Sequence, residues 1–127
     1  MLDPYHNATR VLLVEDAPIL RYAFGRLLRL HGFEVMEANN GREALACLSK
    51  FRPQLIVTDL TMPVMDGVVL IERLRADPET ADVPVVAITA EATEQAEQRA
   101  RRAGVDDFLA KPIDFNTLLD RLHALHV

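Results

Sequence analysis

The sequence contains a single cysteine, Cys47, among its 127 residues. A lone thiol cannot form an intramolecular disulfide, and it also excludes a zinc site built from several cysteines. The absence of disulfides is typical of a reducing compartment, so we expect a cytoplasmic location. The first ten residues lack the apolar run of a signal peptide. No stretch approaches the about 18 apolar residues of a membrane span, so we expect no membrane insertion.

Positive charge is also scarce, with 14 Lys and Arg against 19 Asp and Glu and a net charge of −5. Binding to nucleic acid requires clustered positive charge against the phosphates, so we expect no direct nucleic acid binding. Only two of the positive residues are lysines, Lys50 and Lys111. Lysine carries a compact charge on a flexible stem, whereas arginine presents a planar fork. The scarcity of lysine leaves two alternatives, a bias of codon usage or a specific role for a lysine.

The chain shows no repeat, no linker and no low-complexity segment, so residues 1–127 are expected to form one domain with a core over about 9–126. Wholly apolar runs predict three strands that are buried on both faces of a parallel sheet, at 11–14, 55–57 and 85–88. Segments of mixed polarity predict two edge strands, at 33–38 and 107–110.

A helical pattern follows each of these strands. Apolar spacing predicts helices over 18–31, between Asn40 and Pro53, over about 66–75, over about 92–103 and after an N-cap at Asp114. Five strands that alternate with five helices predict an α/β fold of the (βα)5 type, a doubly wound parallel five-stranded sheet in a three-layer sandwich.

The fourth predicted helix differs from the others in its inner stripe, which consists of Ala92, Ala96, Ala100 and Ala103. Alanine buries little apolar surface, so it anchors a helix less firmly than leucine does. The pattern leaves two alternatives, close packing of a small-residue helix or a helix that is loosely held and can shift.

Chemically active residues stand at the ends of the predicted strands: Glu15 and Asp16, Asp59, Thr89, and Lys111. Ligands of open parallel sheets bind beyond the carboxyl ends of the strands, so these side chains are expected in one crevice. Three carboxylates repel one another unless a cation or a proton intervenes. Oxygen ligands suit Mg²⁺, and a carboxylate can accept a phosphoryl group as a nucleophile. A lysine and a hydroxyl could then stabilise the phosphoryl oxygens.

Four segments resemble the motifs of bacterial two-component receiver domains, and the resemblance covers about residues 9–126. These segments are VED at 14–16, DLTMPVMDG at 59–67, ITA at 88–90 and DFLAKP at 107–112. The resemblance implies a flavodoxin-like fold with strand order 2-1-3-4-5. It also implies a phosphorelay protein that receives a phosphoryl group from a histidine kinase or a histidine phosphotransfer protein. Such a protein is a signalling module and catalyses only its own phosphorylation and dephosphorylation.

By this resemblance Asp59 is the phosphoacceptor. Mg²⁺, or Mn²⁺ in its place, would be held by Asp16, Asp59 and the backbone carbonyl of Thr61, with Glu15 acting through a metal-bound water. The family commonly has aspartate where this chain has Glu15, which could change the affinity for the metal.

The resemblance also implies a switch. Lys111 would pair with Asp59 and then with the phosphoryl group, which Thr89 and Ala90 would contact. Phe108 would swing inward, and the Lys111–Pro112 peptide bond would be cis. The surface of the fourth helix, fifth strand and fifth helix would then bind a downstream effector protein or domain. Thr61 and Glu91 would flank the phosphoryl site and tune dephosphorylation.

Two other functions are alternatives to a receiver. A phosphatase of the haloacid-dehalogenase type needs a second aspartate two residues after the nucleophile, where this chain has Thr61. A degenerate receiver that acts only as a scaffold would not need the intact Asp16, Asp59, Thr89 and Lys111. The four histidines, of which His6 is the first, show no metal-ligand spacing, and the arginines at 99, 101 and 102 are expected on a solvated face with a Glu97–Arg101 pair.

Overall fold

The computed structural model describes residues 8–126, so His6 and the rest of 1–7, together with Val127, lie outside the described residues. Strands and helices alternate along the chain. The elements are β1 (Arg10–Val14), α1 (Pro18–Leu30), β2 (Glu34–Ala38), α2 (Gly41–Phe51), β3 (Leu55–Asp59), α3 (Gly67–Ala76), β4 (Val85–Thr89), α4 (Glu94–Ala103), β5 (Asp107–Ala110) and α5 (Phe115–Leu125).

The strands form one parallel sheet in the order β2-β1-β3-β4-β5. The predicted (βα)5 fold and strand order are confirmed, with β2 and β5 at the two edges. The central strands β3 and β4 are buried along their whole length, which explains their continuous apolar sequence. The order of strands reverses between β1 and β3, and this reversal marks the position of the ligand crevice.

Two apolar cores lie on opposite faces of the sheet. Alternate residues of each strand point to opposite faces, so Leu12 and Ile56 belong to the core beneath α2, α3 and α4. Val11 and Leu55 belong to the other core, beneath α1 and α5. Helices therefore cover both faces of the sheet, as the prediction of a three-layer sandwich requires.

The start of α2 is fixed by a reciprocal pair of hydrogen bonds. The Oδ1 atom of Asn40 accepts from the backbone N–H of Glu43 at 2.9 Å, and the Oε1 atom of Glu43 accepts from the N–H of Asn39 at 2.6 Å. The first bond satisfies one of the N–H groups that a helix start leaves without partners, and the second ties the residue before the N-cap to the first turn. A side chain also caps α3, where Asp66 Oδ1 accepts from Val68 N–H at 2.7 Å.

The predicted start of the fourth helix, at about residue 92, is wrong, whereas the predicted N-cap position of the fifth is confirmed. The fourth helix begins at Glu94 rather than 92, because Thr93 Oγ1 accepts from Ala96 N–H at 3.0 Å and caps the helix there. Ala92 is therefore outside the helix, and Ala100 is the one α4 residue that is fully buried. Asp114 occupies the N-cap position of α5, but its side chain makes no capping hydrogen bond.

The carboxyl end of α4 is anchored by Arg75 of α3. Its Nε atom donates to the Gly104 carbonyl oxygen at 3.0 Å, and its Nη2 atom pairs with Asp106 Oδ2 at 2.9 Å. A third bond runs from Nη1 to the carbonyl oxygen of Val83 at 2.7 Å. Gly104 has a φ of 111°, which a residue with a side chain adopts only at a cost. This end of α4 is therefore tied to α3, to the loop before β4 and to the loop before β5.

Asn40 accepts a capping hydrogen bond at the start of α2, whereas Asp114 accepts none at the start of α5, and this difference gives a test of how much the Asn40 cap stabilises the fold. Asn40→Ala should lower the free energy of unfolding by about 1 kcal/mol, because the first turn of α2 loses its side-chain acceptor. Urea denaturation followed by circular dichroism measures this loss. Asp114→Ala is the control and should cost clearly less. Equal losses in the two variants would contradict the capping assignment.

Candidate phosphoryl and metal site

Three carboxylates meet beyond the carboxyl ends of β1 and β3. The register pairs Val14 with Thr58, so the next residues, Glu15 and Asp59, lie side by side at the edge of the crevice. One oxygen from each of Glu15, Asp16 and Asp59 lies within 4.8 Å of the others. The three residues that sequence reasoning chose as acidic ligands are therefore brought together.

Asp59 is held at the last position of β3 with 4% of its surface exposed. Its Oδ1 atom accepts from the Thr61 backbone N–H at 3.1 Å, and its Oδ2 atom accepts from Lys111 Nζ at 2.8 Å. The next residue is fixed to β4, because the Leu60 N–H donates to the Ile88 carbonyl oxygen at 3.1 Å. The carboxylate thus has a fixed position and a cation beside it.

Glu15 is more deeply buried, with 1% of its surface exposed. Its Oε1 atom accepts from Lys111 Nζ at 2.7 Å and its Oε2 atom accepts from the Ala17 N–H at 3.2 Å. Burial raises the pKa of this carboxyl above its ordinary value, and the hydrogen bond from Lys111 opposes that rise. Glu15 therefore both supplies a carboxylate to the cluster and holds the lysine.

Lys111 follows β5 and bridges the two buried carboxylates through Nζ. Burial alone would lower the pKa of the ammonium, but the hydrogen bonds and charges of Asp59 and Glu15 outweigh burial and the pKa is raised. Lys111 N–H also donates to the Thr89 carbonyl oxygen at 2.8 Å, and the Lys111–Pro112 peptide bond is cis as expected. The lysine is therefore a permanent cation in the crevice.

Thr89 ends β4, directly after Ile88, which pairs with Asp59, and it is 1% exposed. Its Oγ1 atom accepts from the Glu91 N–H at 3.1 Å, and within residues 8–126 the hydroxyl makes no donor bond. The proton is thus available to a new acceptor. Ala90 follows as an exposed residue, and Phe108 is half-buried on β5 and packs against the core beneath α4.

The donor set suits a hard divalent cation. Carboxylate oxygens are the ligands that Mg²⁺ prefers, and the three carboxylates with one ammonium leave the crevice with excess negative charge. Asp16 is half-buried and Thr61 is exposed, so this side of the cluster is open to solvent, as suits an ion that keeps several waters. The acidic cluster therefore fits the magnesium site typical of receiver domains.

Gly67 is a residue that the sequence reasoning did not single out. A Cβ atom at this position would overlap the carbonyl oxygen of Asp59 and lie 2.7 Å from Leu60 Cα, both of which are backbone atoms. The Gly67 N–H donates to the Leu60 carbonyl oxygen at 2.9 Å. Only glycine lets α3 begin this close to the end of β3. The signal in the sequence was the Asp66–Gly67 pair at the end of the DLTMPVMDG segment.

Comparisons with known proteins agree with this fold and this site. The family model described as the response regulator receiver domain matches residues 11–123. The protein PilH of Pseudomonas aeruginosa is 33% identical over 116 residues, which cover 91% of this chain and 96% of PilH. The transcriptional regulatory protein PrrA of Mycobacterium tuberculosis is 40% identical over 98% of this chain and 52% of its own length. Among solved structures, the chemotaxis protein CheY4 of Vibrio cholerae has a TM-score of 0.89 at 32% identity, covering 93% of this chain and 98% of that one.

The chain belongs to the family of response regulator receiver domains. These domains are signalling modules of two-component systems, and phosphorylation on aspartate is typical of them. The chain spans nearly the whole of PilH and about half of PrrA. In the part of the chain that the structure describes, no helix has both the length and the apolar character to cross a membrane.

The close approach of α3 to β3 gives a second test. Gly67→Ala should cost about 1–3 kcal/mol of stability, because the new methyl group must displace the Asp59 backbone, and it should weaken Mg²⁺ binding several-fold. Urea denaturation and an amide NMR titration with Mg²⁺ measure the two effects.

The matched control is Gly32→Ala, which lies far along the chain from the site, has a φ of 91° and meets nothing within 4 Å. It should lose about 1–2 kcal/mol from backbone strain alone and keep its affinity for Mg²⁺. If Gly67→Ala bound Mg²⁺ as tightly as Gly32→Ala, the proposed link between Gly67 and the site would be wrong.

Proposed function

We propose that Asp59 accepts a phosphoryl group from a phosphohistidine of a histidine kinase or of a histidine phosphotransfer protein. The observation that carries this proposal is the placement of Asp59, buried at the end of β3 with Lys111 Nζ 2.8 Å from one carboxylate oxygen. A fixed carboxylate beside a fixed cation is arranged for nucleophilic attack on a charged phosphorus centre.

In this step an oxygen of the Asp59 carboxylate attacks the phosphorus atom of the phosphohistidine. A P–O bond forms as the P–N bond breaks, and the electron pair of that bond stays on the imidazole nitrogen, which takes a proton from solvent. The charge of the transferred group spreads over its three outer oxygens, where the Lys111 ammonium can stabilise it. Lys111 then exchanges the Asp59 oxygen for a phosphoryl oxygen and keeps its bond to Glu15.

Asp16, Asp59 and the Thr61 carbonyl would hold Mg²⁺, or Mn²⁺ in its place, with Glu15 acting through a water. Bound there, the ion would supply positive charge to the phosphoryl oxygens. The support for this ligand set is the convergence of the three carboxylates within 4.8 Å, together with the position of Thr61 in the loop that directly follows Asp59.

The switch follows from the charge that phosphorylation adds. Thr89 can donate its free hydroxyl proton to a phosphoryl oxygen, and the backbone of Ala90 lies next in the chain to make a further contact. Movement of Thr89 toward the phosphoryl group would open space into which Phe108 turns. Phosphorylation thereby favours one of two arrangements of α4, β5 and α5, a shift of populations rather than a new fold.

The domain acts in this proposal as one receiver over residues 1–127, located in the cytoplasm. Its output is contact of the surface formed by α4, β5 and α5 with an effector protein or domain. It is not an enzyme that turns over a separate substrate, and it contacts no nucleic acid itself. The support for the absence of nucleic acid contacts is the acidic net charge of −5.

The phosphoacceptor is tested by incubation with Mg²⁺ and a small phosphodonor such as acetyl phosphate. Asp59→Asn should lose the base-labile phosphoryl group, because an amide is a poor nucleophile, and intact-protein mass spectrometry before and after treatment with base detects the loss. Asp77→Asn, at the far end of α3, is the control and should be labelled normally. Base-labile labelling that persists in Asp59→Asn would refute the assignment.

The role of Lys111 is tested by Lys111→Arg. The variant keeps the positive charge, so the fold should persist. The planar guanidinium cannot act as a point charge between Glu15 Oε1 and Asp59 Oδ2, so phosphorylation should slow about tenfold and the α4 and β5 amide signals should change less on phosphorylation. Phosphorylation rates and amide NMR spectra measure these effects. Lys50→Arg, at the end of α2, is the matched control. Normal switching in Lys111→Arg would show that charge alone is enough.

A further inference from the structure

A cavity of about 170 Å³ lies between α4 and the loop that joins β3 to α3. It adjoins the phosphoryl site, since Thr61 and Thr89 form part of its wall and the Thr61 N–H binds the Asp59 carboxylate. Across from them the wall includes Ala96 and Arg99 of α4. The cavity is large enough for several water molecules, so side chains on its wall have room to move.

Arg99 differs from the other two arginines of α4. Arg101 pairs with Glu97 at 3.2 Å, and the Nε atom of Arg102 donates to the Gln98 carbonyl oxygen. Arg99 makes no hydrogen bond and no ion pair with the residues from 8 to 126. Two acidic residues, Asp66 and Glu91, share the cavity wall with it, and neither lies within ion-pair distance.

The helix that carries Arg99 is unevenly supported. Its carboxyl end is tied down by Arg75 through Gly104 and Asp106, whereas its amino end rests on the Thr93 cap and on the cavity. Ala100 alone among the α4 residues is fully buried, so little apolar burial resists a tilt of the amino-terminal half. A force on Arg99 would therefore move this half of α4 about the Arg75 anchor.

We propose that Arg99 is a positioning residue that responds to phosphorylation of Asp59 by moving across the cavity toward Thr61 and Thr89. This inference rests on the proposed function. A phosphoryl group adds about −1.5 to −2 charges at the site. Lys111 reaches Asp59 from β5, and Arg99 supplies the cation on the opposite, α4 side. Its movement draws the amino-terminal half of α4 toward the site and couples the phosphoryl group to the effector surface.

The test uses beryllofluoride with Mg²⁺, a stable mimic of the phosphoryl group, added to the whole chain. In Arg99→Gln the affinity for beryllofluoride should fall about three- to fivefold, which is the loss expected for one partly exposed charge pair. The changes in amide chemical shift that beryllofluoride causes at the start of α4 should also become smaller. Arg99→Lys keeps the charge and should restore most of both effects. Arg102→Gln is the control on the same helix and should behave like the unmodified chain.

The affinity for Mg²⁺ in the absence of beryllofluoride distinguishes a positioning role of Arg99 from damage to the metal site. This affinity should be the same in the unmodified chain and in the three variants. The inference would be overturned if Arg99→Gln kept the wild-type affinity for beryllofluoride and the full chemical-shift changes in α4. It would also be overturned if Arg99→Gln and Arg102→Gln lost equal affinity, or if Arg99→Gln lost Mg²⁺ binding. Failure of the unmodified chain to bind beryllofluoride would instead overturn the proposed function, and this inference with it.

Discussion

The rest of the site depends on one ammonium group shared by two buried carboxylates. Glu15 and Asp59 are almost fully enclosed, and each would be expensive to bury as an anion without a partner. Lys111 Nζ lies 2.7 Å from one and 2.8 Å from the other, so a single cation offsets both. The three residues come from the ends of β1, β3 and β5, and the pairing therefore requires that all three strands end at the same level.

These three strands of the parallel sheet end at the same level because they share one sequence pattern, an apolar run followed by polar residues. β3 and β4 are apolar up to their last one or two residues, and β1 is apolar after Arg10, so the polar residues of the crevice come where each strand leaves the core. β1, β3 and β4 each have a hydrogen-bonded neighbour on both sides, so the carboxylates and the threonine of the crevice follow strands that two ladders restrain. Gly67 also restrains the Asp59 backbone, because it lets α3 begin directly against it.

The fold and most residues of the crevice could be predicted from the sequence. The features that could not be predicted have one physical cause in common, because each depends on a contact that the local pattern does not encode. Apolar runs predict strands because burial on both faces leaves no room for polar residues, and the motif segments identified the crevice. The Glu15–Lys111 bond joins residues 96 positions apart, and its existence depends on side-chain reach that no local pattern encodes. The start of α4 was misplaced because alanine spacing extends past the Thr93 cap, and Gly67 was missed because its role is defined by a neighbouring strand rather than by its own helix.

The position of β5 at the edge of the sheet has a mechanical consequence. β1, β3 and β4 each lie between two neighbours, whereas within residues 8–126 β5 is hydrogen-bonded to β4 alone. A small displacement of an edge strand strains one ladder, while the same displacement of a central strand strains two. The helices on either side of β5 also belong to different cores, α4 to one face and α5 to the other. Glu15, Asp59 and Thr89 thus stand at the ends of strands with two neighbours, whereas Lys111 follows a strand that one ladder restrains. A displacement of β5 would therefore also displace the cation of the crevice.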